Sequence, residues 1–485
     1  MRKPEFALLL AIGLGLGGCS LAPTYQAPKV PLADQYQQHG SALDKTWVPA
    51  QPADQLPRDG WWSLYSDTQL DQLQQRLLAN NADLAAALAH YQQAQAFSAQ
   101  ARAGLFPQIS ANGNGQRDRE SDTKPLRGAT SPAIYDSYTL GAEVDYELDL
   151  WGRVRNTVTA GKDDALAAAA DLASARLSLQ AQLADNYIVL RGLDQQIQLL
   201  QQSMDAYQKA LQLTQTRHGG GIASGLDVAR AQTQLSSAKS LWSQTLASRE
   251  LIEHAIAVLV GESASQFKLA VETKVIPLPS IPASMPSTLL QRRPDIAAAE
   301  RRTAAANARI GVARAAFFPS VNLSALGGYQ SAEYAGLLTA PNRFWAIGPS
   351  LLLTVFDGGR RKAGVEAAKA ATEEAGAHYR GVVLSAFQQV EDNLAQLDHI
   401  GTAQVDQKDA SAAAQRSLDL AMDRYREGAV GYLDVVQAQT AALEAQRSLL
   451  DLETRQLRAS VQLIRALGGG WSAEQLAQAG QASKH

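Results

Sequence analysis

The sequence predicts a mixed α and β chain built from one unit used twice: helix, strand, strand, long helix, tip, returning helix. Three observations carry this. The stretch Arg217–Thr233 returns as Arg424–Thr440, 207 positions later and without a gap, with Arg, Gly, Leu-Asp-Val and Ala-Gln-Thr in step. Each copy separates two long segments whose apolar residues step in threes and fours, as in a heptad seam. Ahead of those seams the period drops to two, which marks strands. In a chain of 485 residues, a repeat this long points to one architecture made of two related halves.

Composition narrows the class. The formal net charge is −3, so no basic footprint argues for nucleic acid. Ala and Gln are abundant and aromatics are few, which suits long helices packed close together. The single cysteine, Cys19, excludes internal disulfides.

Residues 1–18 read as a signal peptide: Arg2 and Lys3, then an apolar run from Phe6 to Leu16 that is too short to span a bilayer. It ends Leu16-Gly17-Gly18-Cys19, and a thiol there resembles the lipidated first residue of a mature bacterial lipoprotein. Ser20 follows, and not Asp, which in such proteins favours outer-membrane delivery. No later stretch offers ~18 consecutive apolar residues. A membrane role beyond the anchor therefore has to come from strands.

Residues 19–75 form an N-terminal segment, Pro- and Gln-rich until Trp61-Trp62-Ser63-Leu64-Tyr65 opens a packed region and Leu70, Leu73 and Leu77 begin a helix. The first repeat covers 76–262, with a β-hairpin over about 106–150 and a helical hairpin over about 153–260. After Phe106-Pro107, Ile109, Ala111 and Gly113 alternate with polar residues. A polar loop is expected over roughly 116–137. The cleanest strand follows. Leu140, Ala142, Val144, Tyr146, Leu148 and Leu150 point one way, and Thr139, Gly141, Glu143, Asp145, Glu147 and Asp149 the other.

Trp151-Gly152-Arg153 ends that strand and opens a helix to about His218. Its seam is Leu183, Asn186, Leu190, Leu193, Ile197, Leu200, Met204, Tyr207, Leu211 and Thr214. Such a helix is ~100 Å long. A second seam (Val228, Ala231, Leu235, Ala238, Trp242, Thr245) returns antiparallel. Residues 263–287 are a Pro-rich linker.

The second repeat covers 288–470, with a β-hairpin over about 318–356 and a helical hairpin over about 360–467; residues 471–485 are a tail. Val321, Leu323 and Ala325 alternate in one strand. Its partner carries Trp345, Ile347, Leu351, Leu353 and Val355 and is expected to break at Pro349. Pro107 and Pro319 lie 212 apart, against 207 for Gly152 and Gly359, so the first β-hairpin is five residues longer, a difference assigned to its loop.

Four amphipathic strands cannot close a barrel, and an open sheet edge is forbidden in lipid. Two chains would supply eight strands and three chains twelve. An acidic strand face needs water on one side, which favours the wider, trimeric answer.

The motifs then carry a resemblance over roughly 19–470. They are Cys19 with Pro23-x-Tyr25, Trp61-Trp62, Leu105-Phe106-Pro107, Asp149-x-Trp151-Gly152-Arg153, Arg292-Arg293-Pro294-Asp295-Ile296-x-x-Ala299-Glu300, Phe318-Pro319, Phe356-Asp357-x-Gly359-Arg360 and the two tips. The chain resembles the outer-membrane efflux proteins of the TolC family, most nearly the lipidated OprM/NodT-like branch. The resemblance implies a trimeric 12-stranded outer-membrane β-barrel, four strands per chain, continued by a long periplasmic α-helical coiled-coil barrel. It implies a homotrimer, anchored by lipid at Cys19, that takes small toxic molecules from an inner-membrane pump through a periplasmic adaptor. A protein-secretion outlet and a lipid-anchored coiled-coil protein without a pore are the alternatives.

By their place in the chain, Asp227 and Asp434 are carboxylates in the first turn of a helix, where the dipole favours them, and Leu226 and Leu433 are residues that staple the hairpin. In the resemblance the same region is the closed periplasmic entrance, with Leu433 and Asp434 as the main gate residues. Relatives often carry a further acid three positions past Asp434; here Gln437 stands there, and Arg230 is its first-repeat counterpart. Arg217, Arg424 and Tyr425 are candidates to tie neighbouring hairpins shut through these carboxylates. Glu143, Asp145, Glu147 and Asp149 read as solvated charges facing the lumen. No catalytic constellation and no metal-ligand spacing among the seven His is present, so neither an enzyme nor a cofactor is expected. Gly219-Gly220-Gly221 lacks the preceding strand and following Lys of a phosphate loop.

Overall fold

The structure is a computed structural model that describes residues 20–30, 60–279 apart from 124, 126, 127 and 129–131, and 293–469. Cys19, the signal segment 1–18, Arg292 and the tail 471–485 lie outside the described residues.

A short 3-10 turn, Trp61–Tyr65, leads into α1 (Thr68–Asn80). Asp67 caps α1 by accepting from the amides of Gln69 (2.9 Å) and Leu70 (3.0 Å). The unit that follows is written twice with matching helix lengths. α2 (Ala82–Ala103) and α5 (Pro294–Ala315) have 22 residues each. α3 (Arg153–Gly219) and α6 (Arg360–Arg426) have 67 each. α4 (Gly225–Leu259) and α7 (Tyr432–Ala466) have 35 each. At 1.5 Å per residue the long helices reach ~100 Å.

A short and a medium helix together run beside one long helix, so each pair must meet end to end. In the first repeat Asn81 makes the joint. Its carboxamide oxygen caps α2 at Leu84 N (2.8 Å), and its nitrogen donates to the Leu259 carbonyl at the end of α4 (2.9 Å). Gly261 completes the joint at φ 74°, where a Cβ would sit 2.4 Å from the Asn80 carbonyl. In the second repeat Arg293 takes the same place, donating to the Ala466 carbonyl at the end of α7 (2.9 Å).

α3 is the spine. It packs against α2, α4, α5 and α7, while α6 packs against α5 and α7. Its seam is buried at Leu183, Leu190, Leu200, Met204, Tyr207, Leu211 and Thr214. Midway along it lies the largest core, where Trp61, Trp62, Tyr65, Leu70, Leu73 and Leu77 meet Tyr187, Leu190 and Ile256. The linker is tied down there as well. Asp194, fully buried, accepts from Arg191 (2.5 Å), from Arg249 (2.6 Å) and from the Glu272 amide (3.1 Å). Arg249 also donates to the Leu269 carbonyl at 2.7 Å.

The strands β1 (Gln108–Arg119), β2 (Ile134–Glu147), β3 (Ser320–Ser331) and β4 (Arg343–Leu352) form one antiparallel sheet in chain order. Four sequence expectations change here. β1 and β2 run further into the expected 116–137 loop, leaving 120–133 between them. The second hairpin leaves 332–342 between its strands, and β2 has 14 residues against 10 in β4. The longer first hairpin is therefore shared between strand and loop. β4 passes through Pro349, which stands opposite Leu323. β4 is an edge strand of this sheet, where a residue without an N–H is tolerated, and the strand stops at Leu352, short of Leu353 and Val355. Finally, β2 ends at Glu147, so Leu148, Asp149 and Leu150 leave the sheet.

The reason for the last change is helix capping. Asp149 accepts from the amides of Val154 (3.1 Å) and Arg155 (2.8 Å), and Gly152 enters α3 at φ 75°. Asp357 does the same for α6, accepting from the amides of Gly359 (3.0 Å) and Arg361 (3.1 Å). Asp149 is thus a capping carboxylate beyond the end of β2 rather than part of the polar face of the sheet.

Residues 20–30 lie in the groove along α5. Ser20 donates to Asn156 Oδ1 (2.9 Å), Asn307 donates to the Pro23 carbonyl (2.7 Å) and Tyr25 donates to the Glu300 carbonyl (3.3 Å). The segment therefore runs antiparallel to α5, with Ser20 at the end nearest the sheet.

Candidate functional site at the sheet and the hairpin tips

Two regions carry chemistry, at opposite ends of the ~100 Å helices. At the sheet end, register sorts the side chains into two faces. One row across the four strands is Ile109, Val144, Ala325, Ile347; the next is Gln108, Asp145, Ser324, Gly348. Toward the helices every second row is apolar, so there one face of the sheet is apolar and the other largely polar. That is the pattern of a strand between lipid and water. Ile109 (75 % exposed), Trp345 (78 %) and Ile347 (66 %) are left uncovered by the described residues.

On the polar face Glu143 stands between Ser110 and Leu326, Asp145 between Gln108 and Ser324, and Glu147 opposite Asn322. Asp145 accepts from the Ser324 hydroxyl at 2.7 Å. Glu147 is held by Arg153, through Nε at 2.7 Å and Nη2 at 2.5 Å. β1 and β4 leave two unpaired edges. The junction below the sheet is aromatic: Trp151 stacks on Phe318 at 4.7 Å and donates to the Pro319 carbonyl at 2.8 Å.

At the other end the two tips close over a shared core of Met204, Tyr207, Leu211, Ala231, Leu235, Tyr425, Tyr432 and Val435. Tyr425 is 5 % exposed, meets Tyr432 edge-on at 5.2 Å, and donates to Thr214 at 3.3 Å. Arg217 lies over the Tyr425 ring at 4.7 Å and donates to the Tyr425 carbonyl. Burial, with Tyr425 as neighbour, pushes the Tyr432 phenol up to about 12, so it stays neutral. Gln234 crosses from α4 to α7, donating to the Val436 carbonyl (3.2 Å) and Thr440 (2.7 Å).

The structure separates the candidate gate residues. Asp227 is engaged on both oxygens. Oδ2 accepts from the Ser224 hydroxyl (2.8 Å) and amide (3.2 Å) in a capping box, and Oδ1 faces Arg230 at 3.4 Å. The second tip has Gly431 where the first has Ser224, so no side-chain cap forms and Asp434 is exposed. Gln437 and Arg424 are exposed too. Leu226 (59 % exposed) and Leu433 (44 %) do not staple their hairpins. A staple residue has to lie over its own helix turn, and these two point away from the shared core. Within the chain the Arg217 tether runs to the Tyr425 carbonyl and ring, and not to either carboxylate.

Three features were not read from the sequence: the joints at Asn81 and Arg293, the capping pair Asp149 and Asp357, and the buried Arg191–Asp194–Arg249 group. Only Ser224, three positions before Asp227, carried a local signal of its cap. Among the described residues no group of His, Cys, Asp and Glu could hold a metal, and no helix is long and apolar enough to cross a membrane.

Comparison with known proteins adds the family. The family model described as outer membrane efflux protein matches residues 73–262 and 285–469. The antibiotic efflux pump outer membrane protein ArpC of Pseudomonas putida is 36 % identical over 470 residues, covering 96 % of this chain and 95 % of that protein. Outer membrane protein OprJ of Pseudomonas aeruginosa is 33 % identical over 480 residues, covering 97 % of each. Among solved structures, the outer-membrane channel OprN superposes with a TM-score of 0.86 at 30 % identity, over 93 % of this chain and all (100 %) of that one.

Proposed function

The chain belongs to the outer membrane efflux protein family, and from that premise we propose that it is the outer-membrane outlet of a tripartite efflux system. The family is one of channels rather than of enzymes. Three copies pair β4 of one with β1 of the next, closing twelve strands around water. The α-helical hairpins continue that wall into the periplasm. An inner-membrane pump feeds the channel through a periplasmic adaptor, and the cargo is small toxic molecules or drugs. Cys19 carries the lipid, and Ser20 beside the sheet end of α3 and α5 suits an anchor at membrane level.

The observation that carries this reading is the sheet: toward the helices one apolar face and one largely polar face, with two open edges, set on ~100 Å hairpins. The exposed Leu433 and Asp434 supply the gate at the tips. Threefold repetition turns one acid per chain into a ring that focuses negative potential on the axis. Asp227, already neutralised by Arg230 and its cap, holds the first tip in shape and adds little to that ring.

Two measurements test it. Purified protein in a planar bilayer should form channels, and a deletion strain should accumulate drug. Absence of channels even with opened tips would sink the channel reading. Unchanged drug accumulation with loss of a secreted protein from the medium would replace efflux by protein secretion.

A further inference from the structure

Three exposed arginines of the sheet, Arg117, Arg119 and Arg343, are not fully neutralised by any of the described residues. Register places Arg117 opposite Asp136, Arg119 opposite Ile134 and Arg343 opposite Tyr329. All three therefore stand on the apolar-face parity, Arg117 and Arg119 at the end of the sheet away from the helices and Arg343 nearer the helices, where β4 begins, level with Leu140 and Gly113. All three are exposed. Arg117 has one loose partner, Asp136 at 3.7 Å, with the Arg117 side chain 74 % exposed. Arg119 and Arg343 make no ion pair among the described residues.

The helix end of the sheet is arranged differently. There Arg153 is held by Glu147, Arg155 by Asp149 (3.1 Å) and Arg361 by Asp357 (2.6 Å). These three guanidinium groups near the inner boundary are thus paired within the chain, whereas Arg119 and Arg343 are left open and Arg117 is only loosely paired. On the same face Trp345 lies one row below Arg343, Tyr329 stands opposite Arg343, and Tyr138 lies between the level of Arg343 and that of Arg117, with Tyr334 packed edge-on to Tyr138 at 6.0 Å. Aromatic rings of this kind sit at the level of lipid headgroups. The stretch Tyr138–Glu147, tilted as barrel strands are, spans ~25 Å, the height of the apolar band.

We propose that Arg117, Arg119 and Arg343 form a binding site on each protomer for the phosphate groups of an outer-leaflet lipid. This rests on the reading of the sheet as part of an outer-membrane barrel. A guanidinium offers a planar fork of donors that matches phosphate oxygens in pairs. An exposed arginine at the edge of lipid has its stem in the apolar layer and its head among the headgroups. Closing the barrel by β4 to the next β1 brings Arg343 toward the strand that bears Arg117 and Arg119 of the neighbouring copy. The lipid then bridges the seam between protomers.

The test uses the full-length assembled protein in detergent. Its thermal melting is followed with phosphorylated lipid A, with the same lipid dephosphorylated, and with inorganic phosphate alone. Phosphorylated lipid should raise the melting temperature, and the other two should not. R117Q/R119Q/R343Q should weaken the lipid's apparent affinity about a hundredfold while leaving bilayer conductance unchanged. An equal shift with dephosphorylated lipid, or with free phosphate, overturns the proposal. So does a triple variant that binds as the parent does. If the variant fails to assemble, the three-way comparison on the parent protein still decides. Channels without lipid binding would remove this site and leave the outlet reading standing, whereas absence of channels removes the outlet reading itself.

Discussion

Arg293 donates through Nη1 to the carbonyl oxygen of Ala466 at 2.9 Å. One guanidinium thereby closes the joint between α5 and α7, 173 positions apart in sequence. The same side chain forks onto Asp295 (3.0 and 2.7 Å) and reaches Gln389 (3.1 Å). Arg293→Lys keeps the charge but cannot make these bonds together. It should cost ~1–3 kcal/mol, the range for a buried bond to a charged group, and lower the melting temperature of the assembled protein. Arg293→Ala should cost more. A lysine variant that melts with the parent would show that the joint is held by helix packing alone.

The tip asymmetry gives a paired test. Leu433→Ala with Asp434→Ala should raise bilayer conductance, because both side chains are uncovered and free to meet on the axis. Asp227→Ala should leave conductance nearly unchanged and instead lower tip stability by ~0.5–2 kcal/mol through loss of the capping box with Ser224. The reverse pattern would put the constriction on the first tip.

Arg217→Ala should loosen the second tip from the first. It removes both the bond to the Tyr425 carbonyl and the cation over the Tyr425 ring. Single-channel records should show longer openings. Arg424→Ala, at an exposed position, should show none. Equal effects of the two would argue against an intrachain tether.

Tyr432 offers a pH test. Its hydroxyl is buried beside Gln439, and burial raises its folded value to about 12 from 10.0. A raised value means the folded state holds the proton more tightly. The contribution is fully present below pH ~10 and is lost as pH rises toward about 12. Tyr432→Phe should fold normally at neutral pH and lose stability less steeply over that window. An unchanged alkaline slope would assign it to other groups.

The sheet carries a steric prediction. Gly141 and Gly328 face each other across β2 and β3, and a Cβ on Gly328 would lie 2.3 Å from the Leu140 carbonyl oxygen. Backbone cannot yield by that much without breaking the ladder. Gly328→Ala should therefore reduce assembled channel in outer-membrane fractions, while Gly348→Ala, with open space around it, should not. Normal assembly of the Gly328 variant would mean that the strands slide apart more easily than this register allows.

Much of this was legible in the chain because it is periodic. The heptad seam from Leu183 to Thr214 and the alternation around Glu143 and Asp145 each repeat a local rule many times. Single errors in either do not change the reading. The errors came where one residue answers to a distant partner. Asp149 continues the strand pattern in sequence, yet leaves the strand because the orphan amides of α3 sit beside it. Pro349 reads as a break, yet it lies on an edge of the single-chain sheet, where no other strand of this chain asks for its N–H.

The sequence by itself determined the duplicated unit, the helix lengths near 67 and 35 residues, the two faces of the sheet and the place of the tips. These follow from side-chain period and from repetition, which need no knowledge of contacts. Only the tertiary structure decided which tip acid is free, which arginine joins which helix ends, and where the linker is pinned. Those outcomes turn on hydrogen bonds between residues far apart in the chain, and nothing in local spacing encodes them. Asp227 and Asp434 look alike in their repeats; Ser224 in place of Gly431, and Arg230 in place of Gln437, make one a cap and leave the other exposed.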